Sequence, residues 1–146
     1  MSKCLYIIAG CNGAGKTVEH KCNKCNGSGI AGAIILNEPT SEFVMNDGTI
    51  QYNEALTYGG AIYQLYGNLS LTSSVFDENK ANDGGAVFIF SKNGFLIENN
   101  NFTNNLANSS AGAIYTFYNQ NYTISGNIYE NNFAENYNDL FEKSDL

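Results

Sequence analysis

The sequence predicts an all-β chain wound as a right-handed parallel β-helix, with four to five coils of about 26 residues and a short amino-terminal cap. Three observations predict it. A five-residue signature returns four times at spacings of 26 to 27 residues: Phe43, Met45, Ile50, Asn53, Ala55; Leu69, Leu71, Phe76, Asn79, Ala81; Phe95, Ile97, Phe102, Asn105, Ala107; and Tyr122, Ile124, Tyr129, Asn132, Ala134. Small residues punctuate it as Gly59-Gly60-Ala61-Ile62, Gly84-Gly85-Ala86-Val87 and Ala111-Gly112-Ala113-Ile114. Composition agrees: 14 of the 46 residues between Asn93 and Asn138 are Asn, which suits turns and stacked amides and is poor in helices.

Each period holds three short extended runs. One follows the glycines (residues 61–66, 86–90 and 113–118), and one carries apolar residues at spacing two, such as Leu69 and Leu71 or Phe95 and Ile97. The third, shorter run ends in the aromatic residue and Asn. Apolar spacing of two with a turn every few residues excludes helices and reads as coils of a solenoid. Coils stacked ~4.8 Å apart place equivalent residues in columns. Phe76, Phe102 and Tyr129 then stack inside with Ile50 capping them, and Asn53, Asn79, Asn105 and Asn132 form an amide ladder at a bend. The glycine pairs mark places where a Cβ does not fit or φ is positive. Repeats are expected over residues 30–134, and the acidic tail 135–146, with Leu140 and Phe141, caps the far end.

These residues resemble the repeat of chlamydial polymorphic outer-membrane proteins and similar adhesin-like surface proteins. The resemblance rests on the glycine-glycine-alanine-isoleucine quartets and on Phe76-Asp77-Glu78-Asn79 and Phe102-Thr103-Asn104-Asn105, over about 100 residues. Ile50, Tyr129 and Ala111 depart mildly from it. It implies a non-enzymatic β-helical module for adhesion or surface display, binding a glycan or a protein surface; a scaffold without ligand is the plainer reading. Uncapped coils also invite end-to-end self-association.

The remaining composition narrows the function classes. A net charge of −7 with no Arg supplies no basic stripe for nucleic acid. No apolar run reaches the ~20 residues of a membrane helix. Residues 5–9 are too short for a signal-peptide core, so the chain as written is expected in the cytoplasm, whereas the resemblance suggests the cell surface. Asp77 and Glu130 share a column two coils apart, ~9.6 Å, borderline for a pair of glycosidase carboxylates, but solvated outer residues are the favoured reading. Tyr63, Phe88 and Tyr115 form another column, with Ile35. Facing outward it is a candidate binding stripe; facing inward it is core, which is the reading preferred here. Asn-x-Ser/Thr triplets begin at Asn68, Asn101, Asn108 and Asn121, and an Asn-rich chain generates such triplets by chance.

Residues 1–29 carry two further motifs. Gly10-Cys-Asn-Gly-Ala-Gly15-Lys16-Thr17 after an apolar run is a complete phosphate-loop string resembling zeta-toxin-like kinases. The resemblance implies Gly10 and Gly15 around nucleotide phosphates, Lys16 on the β and γ phosphates and Thr17 on Mg²⁺, with Mg-ATP or Mg-GTP as ligand. A helix should then begin at Lys16, and the turn-rich residues after it do not suit one. Cys22-x-x-Cys25-x-Gly27-x-Gly29 resembles half of the zinc motif of J-domain co-chaperones, and zinc needs four ligands. The repeat frame offers a plainer account of that stretch: Cys22 at the aromatic position, Cys25 at the Asn position and Ala31-Gly32-Ala33-Ile34 as punctuation, a degenerate first coil that needs no cofactor. Three unrelated signatures together suggest a mosaic, designed or truncated sequence.

Overall fold

The computed structural model describes residues 16–18, 33–91, 93–117 and 121–143. Among them there is no helix, and every strand pairing is parallel. A strand β1 (Lys16–Val18) precedes a coil of β2 (Ile34–Leu36), β3 (Glu42–Asn46) and β4 (Gly48–Gln51). The next coil has four strands: β5 (Ile62–Gln64), β6 (Asn68–Thr72), β7 (Val75–Asp77) and β8 (Lys80–Asp83). The third repeats them as β9 (Val87–Phe90), β10 (Phe95–Glu98), β11 (Asn101–Thr103) and β12 (Leu106–Ser110). The last comprises β13 (Ile114–Phe117), β14 (Thr123–Ser125) and β15 (Ile128–Glu130), and β16 (Leu140–Lys143) begins another turn.

Stacking these coils makes four sheets that wrap one core. The first sheet runs β2-β5-β9-β13-β16, the second β3-β6-β10-β14, the third β1-β4-β7-β11-β15, and the fourth is β8-β12. Alternation along each strand sends every second residue inward. The interior columns are therefore Ile34, Ile62, Val87 and Ile114; Leu71 and Ile97; and Ile50, Phe76 and Phe102. Phe76 and Phe102 are fully buried, with ring centroids 4.8 Å apart and planes 9° from parallel, and Tyr129 continues the column 5.6 Å from Phe102.

Corners between the sheets use residues with positive φ. Asp47, Ser73, Asn99 and Gly126 turn the chain from the second sheet to the third; Tyr52, Glu78, Asn104 and Asn131 turn it from the third to the fourth. Leaving a sheet this way strands backbone groups in the interior, and asparagine side chains take them up. Asn79 donates from Nδ2 to the Ile50 carbonyl at 3.0 Å and to Asn105 Oδ1 at 3.1 Å. Asn105 repeats this with the Phe76 carbonyl and with Asn132 Oδ1. Asp139 closes the ladder by accepting from Asn132 Nδ2 at 3.1 Å. A second ladder, not read from the sequence, occupies the other corner: Asn100 Nδ2 donates to the Leu71 carbonyl and to Asn127 Oδ1, and Asn100 Oδ1 accepts from the Ser74 amide. Its first members are Gly48 and Ser74, which hid the column.

The two glycines of each pair have different duties. Gly59 and Gly84 have φ of 55° and 63°. Gly60 and Gly85 do not, but a Cβ on Gly85 would press into the carbonyl oxygen of Gly112 in the next coil.

Two expectations change. Ile50 does not end its sheet, because β1 pairs Val18 with it. The predicted first coil with Cys22 and Cys25 lies outside the described residues, while Ile34 keeps the predicted register against Ile62. The repeats also run past residue 134: Leu140 and Phe141 pair in register with Ile114 and Tyr115, so this stretch is coil rather than cap.

Candidate interaction face

The outward surface of the first sheet concentrates the aromatic residues. Ile62, Val87 and Ile114 point into the core, as do Gln64, Ile89 and Thr116 two residues later. The residues between them must then face out, and they are Tyr63, Phe88 and Tyr115, extended by Phe141. The column points away from the core cluster rather than into it, with Tyr63 and Tyr115 half-buried and Phe88 buried. Apolar character on both faces of these strands hid the orientation, and Gln64 and Thr116 are polar residues accommodated inside; Gln64 Nε2 is held by the Gly67 carbonyl at 2.9 Å.

The rings pack against one another. Phe88 and Tyr115 lie 4.8 Å apart and 13° from parallel, and Tyr115 and Phe141 are 4.7 Å apart at 38°. Tyr58, from the turn before Gly59, packs 4.4 Å from Phe88, which leaves Phe88 only 7% exposed; Tyr137 packs against Phe141 at 4.8 Å. Two residues along, Phe90 and Phe117 make a parallel column at 5.3 Å, and Lys143 Nζ stands 4.9 Å over the Phe117 ring. Phe90 is 40% exposed. The sequence reading missed Tyr58, Phe90 and Phe117, although the 27-residue spacing of the two phenylalanines carried the signal.

Rings stacked along the solenoid axis turn their edges, not their faces, to solvent. A sugar stacks on an exposed ring face, whereas the positive ring edge suits carbonyl oxygens and the faces of partner aromatics. The Tyr63 and Tyr115 phenols stay neutral. Burial raises the Tyr63 hydroxyl pKa, helped by the neighbouring Tyr58 and Tyr66. Burial likewise raises that of Tyr115, followed by the negative charge of Asp83 and by Tyr58. The face is thus apolar with uncharged donors at its margin.

The other sequence candidates fall elsewhere. Lys16 and Thr17 lie in β1, extended and paired with Gly48 and Thr49, where a phosphate loop needs the start of a helix. Gly10, Gly15, Cys22 and Cys25 lie outside the described residues. Among the described residues no group of three or more His, Cys, Asp or Glu is placed to hold a metal, and no helix is long and apolar enough to cross a membrane. Asp77 Oδ1 accepts from Thr103 Oγ1 at 2.6 Å and from Asn104 Nδ2 at 2.8 Å, a tie between adjacent coils with Thr103 standing between Asp77 and Glu130.

No known protein family, curated protein or solved structure matches this chain.

Proposed function

We propose that the chain is a non-enzymatic binding module of the surface or adhesion type, and that it engages a protein partner through the outward aromatic face of the first sheet. The observation that carries this reading is the double column of Tyr63, Phe88, Tyr115 and Phe141 beside Phe90 and Phe117, aromatic residues on the outside of a sheet whose core is already filled. Aromatic anchors on a rigid surface dominate protein recognition at low entropic cost. The edge-out stacking favours protein over glycan, and the resemblance of the repeats to adhesin-like surface proteins supports the same class.

The test is saturation binding of fluorescently labelled protein to a panel of cell surfaces and extracellular-matrix proteins. Saturable binding that a protease treatment of the surface abolishes, and that falls at least tenfold for Phe90→Thr/Phe117→Thr, is the expected result. Loss on periodate oxidation of surface sugars instead would assign a glycan ligand. No saturable binding anywhere in the panel would leave a scaffold.

A further inference from the structure

Two sets of asparagines in this chain differ in the residue two positions further along. Those in the two ladders, Asn53, Asn79, Asn105, Asn132, Asn100 and Asn127, have Ala, Phe or Tyr at that position. Alternation explains this, since an inward Asn shares its side of the chain with an inward residue at the second position. Asn68, Asn101, Asn108 and Asn121 are the opposite case. All four are exposed, and none of their side chains bonds to another part of the protein among the described residues. Each has Ser or Thr at the second position: Ser70, Thr103, Ser110 and Thr123.

We propose that Asn68, Asn101, Asn108 and Asn121 are attachment sites for N-linked oligosaccharide. The fold prepares each of them. Asn68 opens β6 and Asn101 opens β11, with Leu69 and Phe102 buried between acceptor and hydroxyl, so both members of the triplet lie on the outside. Asn108 sits where the β8-β12 register breaks between Ala107 and Ser110, and Asn121 occupies a corner with φ of 57°. Spacing supports the set as well. Coils ~4.8 Å apart leave no room for two glycans on neighbouring rungs of one column. Asn68 and Asn121 share a column but are separated by Gly94, which has no side chain, and Asn101 and Asn108 lie on different sheets. The strands of the first sheet contain no such triplet, so the aromatic face stays bare.

The co-reactant is a lipid-pyrophosphate-linked oligosaccharide. The Asn Nδ2 forms a bond to the anomeric carbon, the bond from that carbon to the pyrophosphate oxygen breaks, the lipid pyrophosphate leaves with the electron pair, and one amide proton passes to a base. No ladder asparagine is available for this, because its Nδ2 already holds a backbone carbonyl, that of Gln51 for Asn53 and one in the adjacent coil for the others.

The experiment directs the full chain into the secretory route of a eukaryotic cell and reads intact mass and site occupancy by peptide mapping, in membrane fraction and medium alike, before and after enzymatic glycan removal. Expected are glycans on the four asparagines, loss of one glycan for each Asn→Gln substitution, and a melting temperature that changes by no more than a few degrees on their removal. Asn26-Gly27-Ser28 fits the triplet too and lies outside the described residues, so mapping must be by site. A chain that enters the compartment and stays bare overturns the proposal. A bare single position strikes that residue from the set, and modification that collapses the melting temperature overturns the placement of these side chains off the packed faces.

Discussion

Asn105 illustrates how one side chain holds three coils together. Its Nδ2 reaches back to the Phe76 carbonyl at 2.9 Å and forward to Asn132 Oδ1 at 3.0 Å, while its own Oδ1 accepts the backbone and side-chain N–H groups of Asn79. Removing it orphans buried groups in two neighbours. Asn105→Ala is expected to cost about 2–4 kcal/mol in urea unfolding, since each buried unpaired group costs roughly 1–3 kcal/mol. Phe102→Ala should cost about 3–5 kcal/mol, because Phe102 fills the core between Phe76 and Tyr129; an unchanged midpoint would contradict the register. Tyr129 adds a pH dependence. Burial is the main cause that pushes its hydroxyl, which has no hydrogen-bond partner, up to about 12; the nearby Asn127 amide partly offsets this, and Asp139 and Glu142 add to the rise. A folded-state value above the unfolded one means the stabilisation is complete below the ordinary value near 10 and is lost as pH rises through about 12. Melting temperature should therefore fall between those limits, and Tyr129→Phe should flatten the fall.

The strands and corners show which parts of this architecture a sequence reveals. Parallel coils, the aromatic column and the first Asn ladder were legible because the same residue types recur at one offset. The second ladder was not, since Gly48 and Ser74 fill its early rungs and only Asn100 and Asn127 carry the amide. The face of Tyr63, Phe88 and Tyr115 was not legible either: with Ile and Val on one side and aromatics on the other, alternation loses its polar mark, and only the burial of Gln64 and Thr116 fixes the register. The glycine pair allows a sharp comparison. Ala111 already occupies the position equivalent to Gly84 with φ of 58°, so the left-handed backbone alone should cost Gly84→Ala about 1–2 kcal/mol, and the added Cβ presses into the Val87 carbonyl oxygen besides. Gly85→Ala should cost clearly more, because the added carbon meets backbone of the layer stacked on it, at the Gly112 turn and at Leu106 in β12. Thermal melts of the two variants side by side check the order.

For the whole molecule, the described coils stack so that each layer rests on its neighbours, and the candidate site is a face of that stack. Three surfaces carry exposed polar asparagines, and the first sheet carries aromatic edges. The amino-terminal phosphate-loop string does not alter this picture, since β1 holds Lys16 and Thr17 in extended backbone; titration calorimetry of Mg-ATP should show no saturable heat, in the intact chain or in Lys16→Ala. The proposed interaction face is the pair of aromatic columns on the first sheet, outside a core that is already filled. The most direct measurement is the urea midpoint and the surface binding of Phe90→Thr/Phe117→Thr in one preparation, threonine being chosen because it suits a strand. Expected are a midpoint close to that of the unsubstituted chain and binding reduced at least tenfold. A collapsed midpoint, or binding that survives intact, would contradict the proposed face.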